Sequence, residues 1–577
     1  MEKRWIWFAG AILVSVILAV LAVTPTSPAN PDTPLDQFSS ERAMKDVRII
    51  ASKPHPTGSP ENKEVRDYIM QRMESMGLEV MEYSSVMTDN PETRYDAVDR
   101  LNRWSGQELT EQTIYNVVGV LPGKDRTKPA LLLMAHHDTV WDSPGASDDT
   151  MGVAVILEII RALKTEGERE RDLVVLITDA EELGLVGARN FFDKNPHKDK
   201  IGTIINFEAR GAGGTSNLFQ LHNGDGEAAK LYSRVVKHPS ASSLSAFIYN
   251  LLPNDTDLTP ALAKDYTAYN IAIIGRAGYY HSPKITPDAL DEGSLQHMGS
   301  QGLDLTRALL DAPGLPQKSS NKTFFDVFGL FVLIYSPFWG WIFILAGVGA
   351  FVQSARRDFK VKEMVDGALK MVLFTIGVGV ALLLLNLISG YGKSYEGLNK
   401  GVVYYDRLAA IPALQLTALI TCLSGFFLIF GSRKYARNFH LGMALPVILL
   451  AVIGQALAPT ATYFLSVPVL LIGLAALFKT MTKGNLTRMG SIILVIPVLG
   501  YMLGLGHLIL LGVGPDMLSV AVIPAIVAVL ALALIWPEIS KIKARNLSII
   551  LLMMAVILAL WIRLDPVADT VPTYQVW

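Results

Sequence analysis

Five short segments of this sequence hold residue types suited to metal-assisted hydrolysis. The first, Ala135-His136-His137-Asp138-Thr139, closes an apolar run. On a strand, residues two apart share a face, so His136 and Asp138 project together and His137 points away. A metal-bound imidazole needs its second nitrogen held by a carboxylate or a carbonyl, and a His-x-Asp spacing suits that. The second, Gly145-Ala146-Ser147-Asp148-Asp149-Thr150, precedes a helical pattern, so one aspartate can cap the helix while the other faces a site. The third is Asp179-Ala180-Glu181-Glu182-Leu183-Gly184. Adjacent glutamates at a buried strand end repel unless a cation lies nearby. One can ligate metal and the other can act as general base on a bound water. The fourth, Asn206-Phe207-Glu208-Ala209-Arg210, ends a strand-like run, and the fifth, Tyr279-Tyr280-His281-Ser282-Pro283, follows one. Each segment alone also reads as something ordinary: a surface pair, a helix cap, or a solvated helix start.

Elements that could position these residues are legible around them. Continuous apolar runs at Ala130–Ala135, Leu173–Ile177, Thr203–Phe207 and Ile271–Ile274 predict strands buried on both faces. Helical patterns at Val153–Leu163 and Leu185–Phe192 lie between them. Alternation of this kind predicts an α/β fold, a mixed and mostly parallel sheet sandwiched by helices, with functional residues at strand ends. Upstream, a helix is predicted from Ser40, a turn at Pro54–Pro60, and an amphipathic helix over Glu61–Met76 with Val65, Tyr68, Ile69 and Met73 on its apolar face and Gly77 as its stop.

Taken as a set, A-H-H-D-T, G-A-S-D-D-x-x-G, D-A-E-E-L-G-L-x-G, N-F-E-A and Y-H-S-P resemble the zinc aminopeptidases of peptidase family M28, over about residues 37–310. The upstream P-H-P-T-G-S-x-x-N stretch is similar to that family as well. The resemblance implies a zinc aminopeptidase-like fold and two zinc ions per chain. It implies that His136 and Glu208 hold one ion, Glu182 and His281 the other, and that Asp148 bridges them. It further implies that Glu181 is the general base, that Asp138 orients His136, and that Tyr280 helps stabilise the oxyanion. Glu208 stands where many members have Asp, which preserves a carboxylate ligand. Arg210, Asn254, Asp255 and Asp257 are candidates for the substrate pocket. Peptides are the implied substrates, and their N-termini the implied point of attack. An all-N/O ligand set also suits cobalt or manganese. Two other readings are a receptor or scaffold that reuses the fold without catalysis, and a glutaminyl cyclase-like enzyme with a single zinc.

The rest of the chain has a different composition. Of 577 residues, 50% are hydrophobic, and the mean hydropathy of +0.33 is high for a soluble protein. The excess sits outside residues 37–315. A net charge of −2 gives no sign of a nucleic-acid partner. The single cysteine, Cys422, excludes an intrachain disulfide. Residues 1–4 precede a predicted signal-anchor at 5–23, 24–36 reads as a tether, 37–315 as the peptidase-like domain, and 316–325 as a linker. A membrane domain follows over 326–563, with spans at 326–352, 367–390, 408–430, 441–457, 461–478, 489–512, 517–536 and 547–562, and then a tail, 564–577. Basic residues cluster on alternate loops, as in Arg356, Arg357, Lys360 and Lys362, and again in Arg433, Lys434 and Arg437. That alternation predicts nine spans with the N-terminus inside, the C-terminus outside and the peptidase-like domain outside the cytoplasm. A bacterial cytoplasmic membrane is the expected location, or a vacuolar or endoplasmic-reticulum membrane in a eukaryote. Oligomeric state is not legible. His507, Gln415 and Gln455 read as interhelical hydrogen-bonding groups rather than a substrate path.

Overall fold

A computed structural model describes residues 2–89, 96–222, 224–252, 254–392, 407–481 and 485–564. The expected tail beyond 564 lies outside the described residues. The chain divides into two compact units, one built on Thr24–Ile334 and the other on the N-terminal helix and the helices that follow Tyr335.

The first unit is organised by a seven-stranded sheet of order β1-β2-β4-β3-β5-β7-β6. Its strands are β1 (Glu79–Met87), β2 (Gln112–Leu121), β3 (Ala130–His136), β4 (Leu173–Thr178), β5 (Ile201–Ala209), β6 (Asn217–Leu221) and β7 (Thr267–Ile273). The central four, β4-β3-β5-β7, are parallel. Strands β1, β2 and β6 complete the sheet through antiparallel pairings. Every residue of β3, β4 and β7 is buried, as strands covered on both faces require. The four apolar runs identified in the sequence are these parallel strands.

Two crossovers create the site's location. The helix Thr150–Leu163 leads from β3 to β4 and packs on the face that carries Leu131, Leu133 and Ala135. The helix Val186–Lys194 leads from β4 to β5 and packs through Phe191 and Phe192 on the face that carries Leu132 and Met134. The crossover from β3 to β4 and the crossover from β4 to β5, which lies on the other side of β3, run over opposite faces and open a crevice at the carboxyl ends of the strands. The packing is tight there. A Cβ on Gly187 would lie 2.3 Å from the Asp179 carbonyl and 2.4 Å from the Asn116 amide oxygen. Gly187 therefore lets its helix approach the end of β4. Burying each of Ile156, Ile159 and Ile160 in the helix Thr150–Leu163 contributes about 1.5–3 kcal/mol.

Three boundaries differ from the expected ones. Residues 24–36 are not a simple tether, because Arg42 donates to the carbonyls of Pro31 at 2.9 Å and Thr33 at 2.7 Å. The expected span 326–352 and linker 316–325 are replaced by a two-stranded sheet, β8 (Thr323–Asp326) with β9 (Val332–Tyr335), and the helix begins only at Trp339. Phe324 and Val332 join the core of the first unit, which accounts for their apolarity, whereas Leu330, Phe331 and Leu333 are exposed. Mean apolarity cannot separate a buried hairpin from a membrane helix; only the Gly329 turn, at φ 73°, and Pro337 mark the break.

In the second unit, eight helices among the described residues are long and apolar enough to cross a bilayer. They are Arg4–Val23, Val361–Ile388, Ile411–Ile429, Arg437–Leu457, Tyr463–Met481, Met489–Val513, Pro515–Ile535 and Lys541–Leu564, with the shorter Trp339–Ala355 beside them. The chain is an integral membrane protein. Half-buried His507 and Gln415 and buried Gln455 form interhelical or helix-to-loop hydrogen bonds, as their types lead one to expect. His507 Nδ1 lies 3.0 Å from Gln415 Oε1, Gln415 Nε2 donates to the His507 carbonyl at 3.1 Å, and Gln455 Nε2 donates to the Pro337 carbonyl at 2.8 Å.

Candidate metal centre

Each chemically suspect segment ends or follows one of the four parallel strands. His136 is the last residue of β3, Glu181 and Glu182 follow β4, Glu208 lies near the end of β5, and His281 follows β7. Asp148 joins them from the loop before the helix Thr150–Leu163. One ligand atom from each of His136, Asp148 and Glu208 lies within 4.8 Å of the others, and the same holds for Asp148, Glu182 and His281. Asp148 belongs to both groups. Its Oδ1 is 3.1 Å from His136 Nε2 and its Oδ2 is 3.1 Å from His281 Nε2. Glu181, half-buried, has an oxygen within the same span of His136 and Glu182.

Hydrogen bonding aims the imidazole of His136. Its Nδ1 lies 2.9 Å from the Asp138 carbonyl. A carbonyl only accepts, so Nδ1 carries the proton and Nε2 presents its lone pair to the cluster. The Asp138 carboxylate stands 3.5 Å from Nδ1. It accepts from the amides of Glu181 at 3.0 Å and Glu182 at 3.2 Å. The orienting role expected of Asp138 is thus divided: its carbonyl holds the ring, and its carboxylate holds the turn that carries both glutamates. Ala180 and His281 stand at φ 59° and 55°, a region that costs non-glycine residues energy and is kept where the surroundings enforce it.

The cluster is electrostatically unbalanced. Burial works against an imidazolium at His281, yet Glu182 and Asp148 outweigh it and raise the pKa to about 10. His136 is likewise raised despite burial, through Asp138 and Asp148. Burial raises Asp148 too, but the two imidazoles bring it down to about 2. The remaining carboxyls go the other way. Burial, reinforced by neighbouring carboxylates, pushes Glu181 and Glu208 well up and Glu182 up, and takes Asp257 to about 7. Two imidazoles do not neutralise this many buried carboxyls. Glu182 Oε1 is buried and lies 3.1 Å from His281 Nε2. A donor set of imidazole nitrogens and carboxylate oxygens with surplus negative charge fits zinc.

Further residues position the cluster, some of them legible in the sequence and some not. Asp149 caps the helix, accepting from the Gly152 amide at 3.1 Å and the His136 amide at 3.3 Å. The buried Asp179 accepts from the Thr57 hydroxyl at 2.9 Å and the Tyr115 amide at 3.0 Å. Thr57 lies in the P-H-P-T-G stretch, so that stretch serves the site by bracing the end of β4. His137 turns away from the cluster, toward Asn62 at 3.2 Å and the Tyr115 carbonyl at 3.0 Å. Arg100 donates to the Glu182 carbonyl at 3.0 Å. Thr57 and Asp179 carried a signal in their motifs. Arg100 and Tyr115 carried none, because only tertiary packing brings their elements to the strand ends.

The substrate-pocket candidates are placed less uniformly. Asp257 is buried and bonded to the Thr178 hydroxyl at the end of β4. Asn254 and Asp255 are half-buried in the turn before it. Arg210 is half-buried one residue beyond β5, its amide donating to the Ile273 carbonyl at 2.8 Å. Tyr280 stacks on His281 with ring centroids 3.7 Å apart.

A sheet covered on both faces, with a buried imidazole–carboxylate cluster across its parallel strand ends, defines the class as an α/β domain of metallopeptidase type. Residues 116–306 match Peptidase family M28, and the first unit carries a domain of that family. The chain is 26% identical over 409 residues to endoplasmic reticulum metallopeptidase 1 of Homo sapiens, covering 67% of this chain and 45% of that one. It is 29% identical over 301 residues to vacuolar membrane protease of Eremothecium gossypii, covering 51% of this chain and 29% of that one. The chain thus spans less than half the length of these curated relatives. Among solved structures, an aminopeptidase from Aneurinibacillus sp. strain AM-1 shares 15% identity over 50% of this chain and 98% of that one, with a TM-score of 0.39.

Proposed function

We propose that this chain is a metal-dependent peptidase that holds two zinc ions and trims residues from the N-termini of peptides. The observation that carries the reading is the sharing of Asp148: each of its carboxylate oxygens faces a different imidazole. A carboxylate so placed suits a bridge between two cations better than a ligand to one. His136 and Glu208 would hold the first ion with Asp148, and Glu182 and His281 the second. Zinc bound there supplies Lewis acidity and makes water a stronger acid.

The protein's own groups do the remainder. Glu181 is half-buried and held by Asp138 through its amide. Its raised pKa makes it a stronger base than an ordinary carboxylate. It takes a proton from the attacking water and returns it to the departing amine as the C–N bond breaks. Asp138 keeps His136 in one tautomer. Tyr280, stacked on His281, offers its phenol to the oxyanion. The Lys/Arg distribution supports a topology with the N-terminus inside and this domain outside the cytoplasm.

Glu181→Gln tests the central role. Zinc content by elemental analysis stays at two per chain, while turnover falls by at least about 100-fold; turnover at the wild-type rate excludes Glu181 as the base. Digestion of a peptide library by the purified chain, with and without chelator, reads the specificity. Internal cleavage overturns the aminopeptidase reading, and cyclisation of N-terminal glutamine with one zinc per chain replaces it with a cyclase.

A further inference from the structure

Far from the strand-end cluster in sequence, the membrane unit contains a second concentration of unmatched polar groups. A cavity lies where the helix Ile411–Ile429 ends, the helix Arg437–Leu457 begins and the helix Val522–Ile535 finishes. Its walls include Arg433, Lys434, Tyr435, Phe439, His440 and Trp536. We propose that this cavity binds the headgroup of an anionic glycerophospholipid, its phosphodiester held by the cations and its hydroxyl held by His440.

Four observations meet there. The first is His440, which is 1% exposed. Its Nε2 lies 2.9 Å from the Leu530 carbonyl, so Nε2 bears the proton, and Nδ1 is a buried acceptor without a hydrogen-bond partner. The second is the Tyr435 hydroxyl, also buried without a partner. An unsatisfied buried polar atom costs about 1–3 kcal/mol, and the two side chains that bear these atoms both line the cavity. The third is charge. Arg433 and Lys434 are exposed at the cavity, and the Lys479 ammonium sits 3.8 Å over the Tyr435 ring while donating to the Leu534 carbonyl. The counter-charge is Asp366, 3.1 Å from Arg433 and also 3.1 Å from Lys370. Arg433 therefore keeps donors for a phosphate beyond the one it gives Asp366. The fourth is the start of the helix Arg437–Leu457, where no side chain caps Ala436, itself a cavity residue. Uncapped amides and the helix dipole favour an anion at that point.

The aromatic surroundings set the depth. Trp536 donates its indole N–H to the Gly431 carbonyl at 2.8 Å, and Trp5 and Phe8 meet it edge-on at 5.7 and 5.1 Å. Such a belt marks the headgroup level of a bilayer, on the same side as the start of the N-terminal helix. A zwitterionic amine headgroup would place its ammonium among Arg433, Lys434 and Lys479. A glycerol headgroup instead presents a hydroxyl donor to His440 Nδ1.

The test uses the full-length chain, delipidated in detergent and titrated with phosphatidylglycerol, phosphatidylcholine or inorganic phosphate, with bound adducts counted by native mass spectrometry. Phosphatidylglycerol is expected to bind at least about tenfold more tightly than phosphatidylcholine. The double variant Arg433→Gln/Lys434→Gln is expected to lose about 10- to 30-fold of that binding, at roughly 1 kcal/mol per cation. Tyr435→Phe, which leaves the fold's packing in place, should narrow the preference for phosphatidylglycerol without altering phosphatidylcholine uptake. Equal binding of the two lipids by the wild type, or unchanged phosphatidylglycerol binding in the double variant, overturns the proposal. Displacement of phosphatidylglycerol by millimolar inorganic phosphate overturns it as well, because the site would then serve a soluble anion.

Discussion

Buried polar groups are treated in opposite ways in the two units. At the strand ends of the first unit, carboxyls accumulate beyond what two imidazoles can neutralise, and their pKa values are driven apart, with Asp148 near 2 and Asp257 near 7. Among the helices of the second, most buried polar side chains are answered locally. Asn386 donates to the Asp516 carbonyl at 2.9 Å, and Ser424 donates to the Ser548 carbonyl at 2.8 Å. A satisfied pair is architecture, since it stabilises one arrangement and leaves nothing over for a ligand. A surplus of like charge is a request for a counter-ion. The His440 cavity departs from the pattern of its own unit, and for that reason it stands out as a binding site.

The comparison is broken most severely at its sharpest point. Asp148→Ala removes the one carboxylate common to both halves of the cluster, so we expect bound zinc to fall below one ion per chain by elemental analysis and turnover to fall at least about 1,000-fold. Loss of a single ion only would mean that the two halves are independent.

Proton competition gives the next effect. In the metal-stripped protein the His281 pKa is about 10, so below that pH the imidazole is protonated and must lose its proton to bind metal. Zinc affinity therefore weakens as pH falls, by at least about tenfold per pH unit between pH 6 and 9. A competition titration against a chelator of known pH dependence reads this directly, and a flat profile removes His281 from the ligand set.

Asp138→Ala keeps the carbonyl that holds His136 and deletes the carboxylate that holds the Glu181–Glu182 turn. Turnover should drop about 10- to 100-fold, with a smaller loss of zinc. If zinc and turnover fall in proportion, Asp138 acts on the ligand alone and not on the placement of Glu181.

The smallest effect lies in the second unit. Gln415→Leu should lower the thermal or denaturant stability of the helices by about 1 kcal/mol, and leave zinc content and peptide hydrolysis untouched. A loss of turnover in that variant would show that the membrane helices do more than house the chain.

Much of the fold was legible where burial on both faces writes itself as an unbroken apolar run. Strands β3, β4, β5 and β7 and the helices Thr150–Leu163 and Val186–Lys194 are legible within a few residues for that reason, while the three helices between β5 and β7 are not. Strand β1, half exposed at the sheet edge, has no such run, and β2 and β6 were missed with it. The hairpin β8–β9 reads as membrane in the sequence because an apolar segment has a similar composition in a folded domain and in lipid.

The candidate site divides along similar lines. Residue type and spacing by themselves determined which segments are candidates for metal-binding chemistry, that one of Asp148 and Asp149 can cap a helix, and that His137 points away from His136. These are local properties, set by strand pleat and helix start. Tertiary structure alone decided that Asp148 is the aspartate shared by both imidazoles, that the Asp138 carbonyl and carboxylate hold different partners, and that Thr57, Arg100 and Tyr115 brace the turn from outside. Such assignments depend on distances between elements far apart in the chain, and those distances exist only once two crossovers on opposite faces of the sheet have brought the strand ends together.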